Sequence, residues 1–327
     1  MRAPPEGLEE GAVLDALRRG WGFDVESAAY APVGAGSYHW TIADGRGRRG
    51  FVTVDDLGQK AWLGDTPDEV CEGLQRAFDT AVALRESGLE FVVAPIPTQG
   101  GESLRRIGAR HTVALFPFVD AEAAEWGPYE DDDHRLAVVA LVAELHRSQV
   151  ARTAAAPTVG FALSERRHLE AALQDVDVPW TGGPFSEPAR AAVADCAAEL
   201  AAAVAHADRL AADAQERAAD WVVTHGEPHA ANVMRAGGRR YLLDWDTVAL
   251  GPPERDLWML DGDGAAAAYE RATGVHPDEV ALEYFRLAWG LKDLAEYLHV
   301  LRAPHSENDD TARQYGAVAG YAARASR

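Results

Sequence analysis

The chain has 327 residues, of which 47% are hydrophobic and 25% charged, and its formal net charge is −21. This length suits two lobes or domains, and the composition is that of a globular protein rather than a disordered one. The negative field disfavours nucleic acid and anionic lipid as partners and attracts cations. Acidity that only maintains solubility and a cationic small-molecule substrate both agree with this charge.

The sequence also indicates a compartment. Cys71 and Cys196 lie far apart and have no metal or redox spacing, which fits a reduced cytosol. The segment Met1–Glu10 is polar and acidic, unlike a secretory signal, and apolar stretches such as Leu136–Ala143 are too short to span a bilayer. We expect a cytoplasmic protein with neither nucleic acid nor membrane as a partner. The oligomeric state stays open.

The first third of the chain predicts a small, sheet-rich lobe. Leu8–Trp21 has apolar residues on one side of a helix. Pro32–Val54 predicts two strands around a glycine-rich bend at Gly34-Ala35-Gly36, with a second, polar bend at Gly45–Gly50. The further predicted elements are a helix over Pro67–Ser87 and short strands over Phe91–Pro95 and His111–Phe118. We therefore predict an N-lobe of residues 1–118.

Residues 119–327 predict a larger, helical lobe. An acidic loop over Ala121–Asp133 precedes Arg135–Arg147, which is apolar nearly all round and predicts a buried helix. A strand over Trp221–Thr224 and a hairpin over Val233–Asp244, turning at Gly237-Gly238, interrupt the helices. The other predicted helices cover the alanine-rich stretch Glu187–Asp220 and the tail from Pro277, with a break near Pro304.

The hairpin brings oxygen-bearing side chains together. Asn232 comes just before one arm and Asp244 just after the other, so antiparallel pairing places both at the open end. Glu227 lies on the loop that leads into the same end. Oxygen ligands of this kind suit Mg²⁺, which combines one or two carboxylates with substrate phosphates. A carboxylate on the adjoining loop can take a proton from an attacking hydroxyl.

Several motifs carry a family resemblance. The pattern H-x-E-x-x-x-x-N from His225 to Asn232, the hairpin, and D-W-D at Asp244–Asp246 resemble the catalytic and metal loops of the aminoglycoside phosphotransferase and choline kinase superfamily. The chain is closest in appearance to spectinomycin phosphotransferase-like proteins. The supporting motifs, in family order, are Gly34–Ser37, Leu141–His146 and Pro252–Leu257. The resemblance implies an α+β, two-lobed protein-kinase-like fold.

The same resemblance implies roles for individual residues. Asn232 and Asp244 would bind Mg²⁺, and Glu227 would occupy the position of the catalytic base. Asp256, within the segment that resembles P-x-x-R-D-L, would brace the catalytic loop. The residues implied to contact ATP or GTP are Gly34, Gly36 and Ser37 at the phosphates, and Pro117 and Phe118, whose backbone would meet the purine as a hinge.

Two positions depart from the family pattern. Thr53 stands where the family has a phosphate-binding lysine in the strand after the bend. Only Lys60 and Lys292 are lysines in this chain; Lys60 is the candidate cofactor-binding replacement if its loop folds back, although a solvated position is expected for it. Arg76 is the other candidate, since arginine binds phosphate bidentately. Glu227 replaces the family's Asp, and its extra methylene moves the carboxylate by about 1 Å, enough to lower the rate roughly 10²-fold.

Polar residues near these motifs have structural interpretations as well. We expect His225 to hold its loop by hydrogen bonds. His229 either faces the substrate or packs the loop, and Asp246 either assists the metal or caps the next segment. Asp131–Asp133 is expected to be the solvated start of a helix, where negative charge is favourable.

Three functions agree with these motifs. The leading one is transfer of the γ-phosphoryl group of ATP or GTP, with Mg²⁺, to a small hydroxylated molecule. The acidity favours an aminoglycoside or aminocyclitol, while choline-like, sugar and other acceptors stay open, as does a role in antibiotic resistance or in metabolism. The alternative, suggested by Thr53 and Glu227, is a pseudokinase-like protein that binds nucleotide or metabolite with weak or no turnover. Nucleotidylation is a third hypothesis.

Overall fold

The computed structural model describes residues 1, 4–5, 7–34, 36–123, 126–150, 156–217 and 221–325. Its strands are Val25–Ala31 (β1), Ser37–Asp44 (β2), Arg49–Asp56 (β3), Arg105–Ile107 (β4), His111–Pro117 (β5), Glu122–Ala123 (β6), Val222–Thr224 (β7), Val233–Ala236 (β8), Arg239–Leu242 (β9) and Ala249–Gly251 (β10). Its helices are Glu10–Trp21 (α1), Pro67–Glu86 (α2), Asp132–His146 (α3), Arg166–Gln174 (α4), Ser186–Asp195 (α5), Ala197–Arg217 (α6), Glu254–Leu257 (α7), Ala265–Thr273 (α8), Glu279–Arg302 (α9) and Asp309–Ala325 (α10).

The described residues form two compact units. One is drawn from Ala3–Gly160 and Ala218–Pro277, and the other from Phe161–Arg217 and Asp278–Arg327. The first unit therefore contains both the N-terminal sheet and the segment that carries the catalytic motifs. The predicted lobes, 1–118 and 119–327, are a functional division that this grouping does not test, and they stay a prediction.

The sheet of the first unit has five antiparallel strands in the order β1-β2-β3-β5-β4. Strand alternation separates its two faces. Val113 and Leu115 of β5 pack with α1 in one core cluster, whereas Ala114 and Phe116 pack with α2 in a second cluster. Each helix thus covers one face of the sheet. The mixed α and β content and the antiparallel N-terminal sheet confirm the predicted α+β class.

Some predicted elements differ from the observed ones. The region Pro32–Val54 contains two strands, β2 and β3, as predicted, but the strand β1, which precedes the bend, was not predicted. The predicted strand over Phe91–Pro95 is wrong. That segment forms a single parallel bridge, between Val92 and Leu242, and its residues Phe91 and Val93 exchange backbone hydrogen bonds with Leu242. A short strand, β4, was not predicted.

The second unit consists of helices in its described part. α9 lies at its centre and packs against α4, α5, α6 and α10. The predicted tail helix is interrupted near Pro304, as expected, between α9 and α10. The end of the predicted alanine-rich helices, residues 218–220, lies outside the described residues. None of the described helices combines the length and the apolar character that a membrane span requires.

Candidate active site

Polar side chains line one face of the sheet where β2 and β3 pair. Ser37 lies opposite Asp55, and His39 lies opposite Thr53. The Ser37 hydroxyl donates a hydrogen bond to Asp55 Oδ1 at 2.7 Å, and His39 Nδ1 lies 3.2 Å from Thr53 Oγ1. Because side chains alternate along a strand, the valines of β3 enter the core on the opposite face. The position of the family's lysine is therefore on a polar face.

The glycine-rich bend joins β1 to this polar face. Gly34 and Gly36 have φ values of 68° and 85°. Glycine adopts this left-handed region without steric penalty, which explains its use at both positions. Ala35, between them, lies outside the described residues. The two glycines have the conformation that the predicted bend requires, and their contact with phosphate stays a prediction.

Lys60 lies in the turn that follows β3. Asp56 accepts a hydrogen bond from the Gly58 N–H at 3.0 Å, which caps a short 3₁₀ turn and folds the chain back. The Lys60 ammonium group then lies 3.1 Å from Asp55 Oδ1 and 2.5 Å from Asp246 Oδ2. Its side chain is 1% exposed. The expectation that Lys60 is a solvated loop residue is therefore wrong.

The charge of Lys60 is stabilised where it lies. Burial alone would lower the pKa of its ammonium group, but the carboxylates of Asp246, Asp55 and Asp244 raise that pKa above its usual value. Lys60 is thus a buried cation that joins β3 to the D-W-D segment. Arg76, the other candidate for the missing lysine, is exposed on α2.

The predicted hinge lies at the end of β5. Pro117 is the last residue of the strand, pairs with Gly50 of β3 and is exposed. Phe118 is half-buried, and the guanidinium carbon of Arg49 lies 3.5 Å from its ring centroid. The segment thus leaves the sheet with its aromatic side chain packed under a cation. Contact of its backbone with a purine stays a prediction.

Asp256 holds the loop that follows β7. Its carboxylate accepts hydrogen bonds from the N–H groups of His225 at 2.8 Å and Gly226 at 2.6 Å. The His146 ring contacts the same carboxylate at 3.1 Å. Burial would raise the pKa of Asp256, but the hydrogen bond and charge of His146 and the charge of Arg255 hold it below its usual value. The bracing role that the resemblance implies for Asp256 is present in the structure.

His225 is a structural residue of the same loop. Its Nε2 donates to the Leu243 carbonyl at 2.7 Å, and its Nδ1 accepts from the Glu227 N–H at 3.2 Å. One donor and one acceptor nitrogen define a neutral imidazole. Burial lowers the pKa of His225 to about 4, which agrees with this state. His225 therefore links residues 225–232, the predicted catalytic loop, to the segment that precedes Asp244, as expected.

Position 226 requires glycine, because a neighbouring side chain packs closely against it and because its backbone is in the left-handed region. Its φ is 99°, and a Cβ there would lie 2.4 Å from the guanidinium group of Arg255. That guanidinium group is fixed by hydrogen bonds to Thr224 and to the Thr247 carbonyl.

We expect Gly226→Ala to lower the free energy of unfolding by about 1–3 kcal/mol, the range for a strained backbone position. Chemical denaturation measures this, with Gly238→Asn at the exposed hairpin turn as control, and an unchanged midpoint for Gly226→Ala would contradict it.

The hairpin has the predicted geometry. β8 and β9 pair antiparallel, and the turn residues Gly237 and Gly238 have φ values of 56° and 77°, as a tight hairpin turn requires. Pairing continues beyond the strands, because the Leu243 N–H donates to the Asn232 carbonyl at 2.9 Å. Asn232 and Asp244 therefore lie at the open end, as the sequence predicts.

Negative charge is concentrated at this open end. The Asp244 residue is exposed to solvent, while many protein atoms surround its carboxylate. This burial, and then the charges of Asp246, Glu227 and Asp55, raise the pKa of Asp244 well above its usual range, and Lys60 opposes the rise. The structure thus brings the predicted metal ligand, the predicted base and the buried lysine into one electrostatic cluster. A bound cation would stabilise the ionised carboxylates.

Aromatic residues of the acidic loop pack on the catalytic loop and were not predicted as site residues. The Trp126 ring lies 4.3 Å from the His229 ring between centroids, at 72°, and Trp126 is 63% exposed. The Tyr129 hydroxyl donates a hydrogen bond to the Pro228 carbonyl. The acidic loop and its two aromatic residues are recognisable in the sequence. Their packing on a loop about 100 residues away is not. Asp55 was not predicted as a site residue either.

Comparison with known proteins decides the family. A profile of the phosphotransferase enzyme family matches residues 42–297. The chain belongs to this phosphotransferase family. It is also similar to Protein StrN of Streptomyces griseus, with 30% identity over 246 residues that cover 72% of each chain. The family match begins after the glycine-rich bend, so it covers Glu227, Asn232 and Asp244 but not Gly34, Gly36 or Ser37.

Solved structures show the same fold for the phosphotransferase. Spectinomycin phosphotransferase APH(9)-Ia, in complex with ADP and spectinomycin, superposes with a TM-score of 0.71 at 15% identity, covering 98% of this chain and 99% of that one. Amicoumacin kinase hAmiN, in complex with AMP-PNP and Ca²⁺, gives a TM-score of 0.60 at 12% identity over 96% and 94%. The predicted fold and family are confirmed.

The residues at the open end of the hairpin suit Mg²⁺, which shares its coordination with substrate and water, better than a metal ion that protein side chains alone would hold. Within the described ranges, no three His, Cys, Asp or Glu side chains are grouped so that they could hold a metal ion by themselves. Mg²⁺ does not need such a group, because it retains waters and takes substrate phosphates as ligands. The Asp244 carboxylate and the Asn232 amide offer oxygen donors of the kind that this coordination uses, and their role as metal ligands stays a prediction.

Proposed function

We propose that this phosphotransferase transfers the γ-phosphoryl group of ATP or GTP to a hydroxyl of a small molecule. The observation that carries the proposal is Lys60, a buried cation held by Asp55 and Asp246 beside Asp244. Thr53 removes the usual lysine, and Lys60 supplies a positive charge at the same polar face from the following turn. This weakens the pseudokinase alternative, which depends on the absence of that charge.

The nucleotide and Mg²⁺ would use residues from both parts of the first unit. Gly34, Gly36 and Ser37 would lie over the phosphates, with Lys60 as their cation, and the hinge at Pro117 and Phe118 would receive the purine. Asn232 and Asp244 would hold Mg²⁺, which neutralises charge on the phosphates when it is bound. The nucleotides in the APH(9)-Ia and hAmiN structures support this use of the fold.

Glu227 would orient and deprotonate the acceptor hydroxyl. Its backbone N–H is fixed by His225 Nδ1 and its carbonyl by the Asn232 amide, so the side chain projects from a rigid loop. A positioned carboxylate contributes about 10²–10⁴-fold to such a step. The conformation of the loop here sets where the longer Glu side chain places its carboxylate.

The acceptor would be a small hydroxylated molecule with a positive charge. Trp126 offers an exposed indole ring next to the catalytic loop, and Glu227, Asp244 and Asp246 make the region negative. A cation over such a ring gains about 0.5–2 kcal/mol. We expect Trp126→Ala to raise the acceptor KM by about two- to thirtyfold and to leave the nucleotide KM unchanged in steady-state kinetics. An equal rise in both KM values would contradict this assignment.

The cellular setting proposed is the cytoplasm. ATP and GTP are available there, and Cys71 and Cys196 are free thiols. An aminocyclitol or aminoglycoside acceptor would agree with a role in antibiotic resistance or antibiotic metabolism. The spectinomycin complex of APH(9)-Ia supports testing this class first.

The test of the proposed function is turnover. Purified protein with Mg²⁺·ATP or Mg²⁺·GTP is incubated with panels of aminocyclitols, aminoglycosides, choline-like amines and neutral sugars, and products are analysed by mass spectrometry. We expect one phosphoryl group on one class of cationic acceptor, with Glu227→Ala as the inactive control. Addition of a nucleotidyl group would establish the nucleotidylation hypothesis. Nucleotide binding with no transfer to any acceptor would favour the pseudokinase alternative.

A further inference from the structure

We propose that His229 is a positioning residue, which fixes the Asn232 side chain with its amide oxygen available to the metal site. This inference rests on the proposed function, since it assumes that Asn232 is a metal ligand. It concerns His229, a residue outside the predicted site. Three contacts support this role: two lie within residues 227–232, and the third joins His229 to Trp126 of the acidic loop.

The first contact sets the orientation of the Asn232 amide. The side-chain nitrogen, Nδ2, lies 2.9 Å from the Glu227 carbonyl oxygen. A carbonyl oxygen only accepts hydrogen bonds, so the amide nitrogen, and not its oxygen, must face it. The backbone of Glu227 is also restrained on its other side, because its own N–H donates a hydrogen bond to His225 Nδ1.

The second contact uses the other amide hydrogen. Nδ2 of Asn232 also lies 3.3 Å from His229 Nε2, and since Nδ2 is a donor, His229 Nε2 is the acceptor. Both Nδ2 hydrogens are then engaged, and Oδ1 is the amide atom left for a cation. The other ring nitrogen, Nδ1, is buried and has no hydrogen-bond partner among the described residues.

The third contact holds the His229 ring. Trp126 packs against it nearly perpendicular, at 4.3 Å between ring centroids. The Glu227 carboxylate lies 3.8 Å from His229 Nε2, which is too long for a hydrogen bond. His229 therefore contacts the amide of the proposed metal ligand rather than the proton-accepting oxygen of the proposed base. Loss of its acceptor nitrogen would leave the amide held by the Glu227 carbonyl alone among these contacts, so that it could rotate more readily and present N–H groups to the cation.

The test compares two substitutions that differ in reach. The Gln side chain in His229→Gln can place an amide oxygen where Nε2 lies, whereas that in His229→Asn is too short to do so. Mn²⁺ binding is measured by electron paramagnetic resonance in the presence of AMP-PNP, and metal-free AMP-PNP binding by calorimetry. We expect His229→Asn to weaken Mn²⁺ binding about 10–100-fold, the range for partners of metal ligands. His229→Gln should stay within about threefold of wild type, and metal-free nucleotide affinity should not change.

His276→Asn is the matched control, because His276 is an exposed histidine of the same unit that pairs with Glu270. Wild-type Mn²⁺ affinity in His229→Asn would overturn the inference. Equal losses in His229→Asn and His229→Gln would also overturn it, since only packing of the ring would then matter. Failure of wild type to bind Mn²⁺·AMP-PNP would overturn the proposed function and this inference with it, whereas a loss confined to the variants leaves the proposed function intact.

Discussion

Lys60→Met is expected to weaken Mg²⁺·ATP binding about 10–100-fold, because a charge-assisted hydrogen bond to phosphate contributes about 1.5–3 kcal/mol. The same change leaves the carboxylates of Asp55 and Asp246 without their cation. Since Lys60 is 1% exposed, we also expect the free energy of unfolding to fall by about 3–5 kcal/mol, the range for a broken buried ion pair. Calorimetric titration with ATP and chemical denaturation measure the two effects separately.

Lys292→Met is the matched control, because Lys292 is the other lysine of the chain and pairs with Glu296 on α9. Binding is compared at a temperature where circular dichroism shows that the Lys60 variant is folded. Wild-type affinity in folded Lys60→Met would limit Lys60 to a structural role. The phosphate-binding cation would then have to be sought elsewhere, with exposed Arg76 as the first candidate.

Glu227→Gln is expected to lower kcat by about 10²–10⁴-fold, since the amide cannot accept the proton of the acceptor hydroxyl. Nucleotide affinity should change little, because Gln has nearly the shape of Glu and the backbone contacts of residue 227 are unaffected. Glu227→Asp restores the family's residue and should keep turnover within about 10²-fold of wild type. Steady-state kinetics with the acceptor found by screening measures both. A fully active Glu227→Gln would show that this carboxylate is not the base.

Local sequence signals predicted the parts of the site that local geometry builds. Gly237-Gly238 between two short arms determines a hairpin, and the hairpin alone places Asn232 and Asp244 at one end. The spacing of His225 and Glu227 likewise belongs to one loop. The amphipathic helices α1 and α2 were predicted to within two residues at most of their boundaries.

Contacts between distant segments were not predictable in the same way. The bond from Lys60 to Asp246 joins residues 186 positions apart, and no pattern near Lys60 distinguishes a buried turn from a solvated loop. The packing of Trp126 on His229 is of the same kind. Short segments were ambiguous as well. Phe91–Pro95 is apolar and was predicted as a strand, but it forms one bridge. Arg105–Ile107 forms a strand that was not predicted, because two of its three residues are charged.

The most direct test of the account is calorimetric titration of Mg²⁺·ATP and Mg²⁺·GTP into wild-type protein and into Asp244→Ala. We predict that wild type binds at least one of them, that binding weakens when Mg²⁺ is removed, and that Asp244→Ala loses the Mg²⁺-dependent part. Absence of binding to either nucleotide by wild type would contradict the account. It would leave the phosphotransferase fold without the nucleotide site that Lys60, Asn232 and Asp244 are proposed to form.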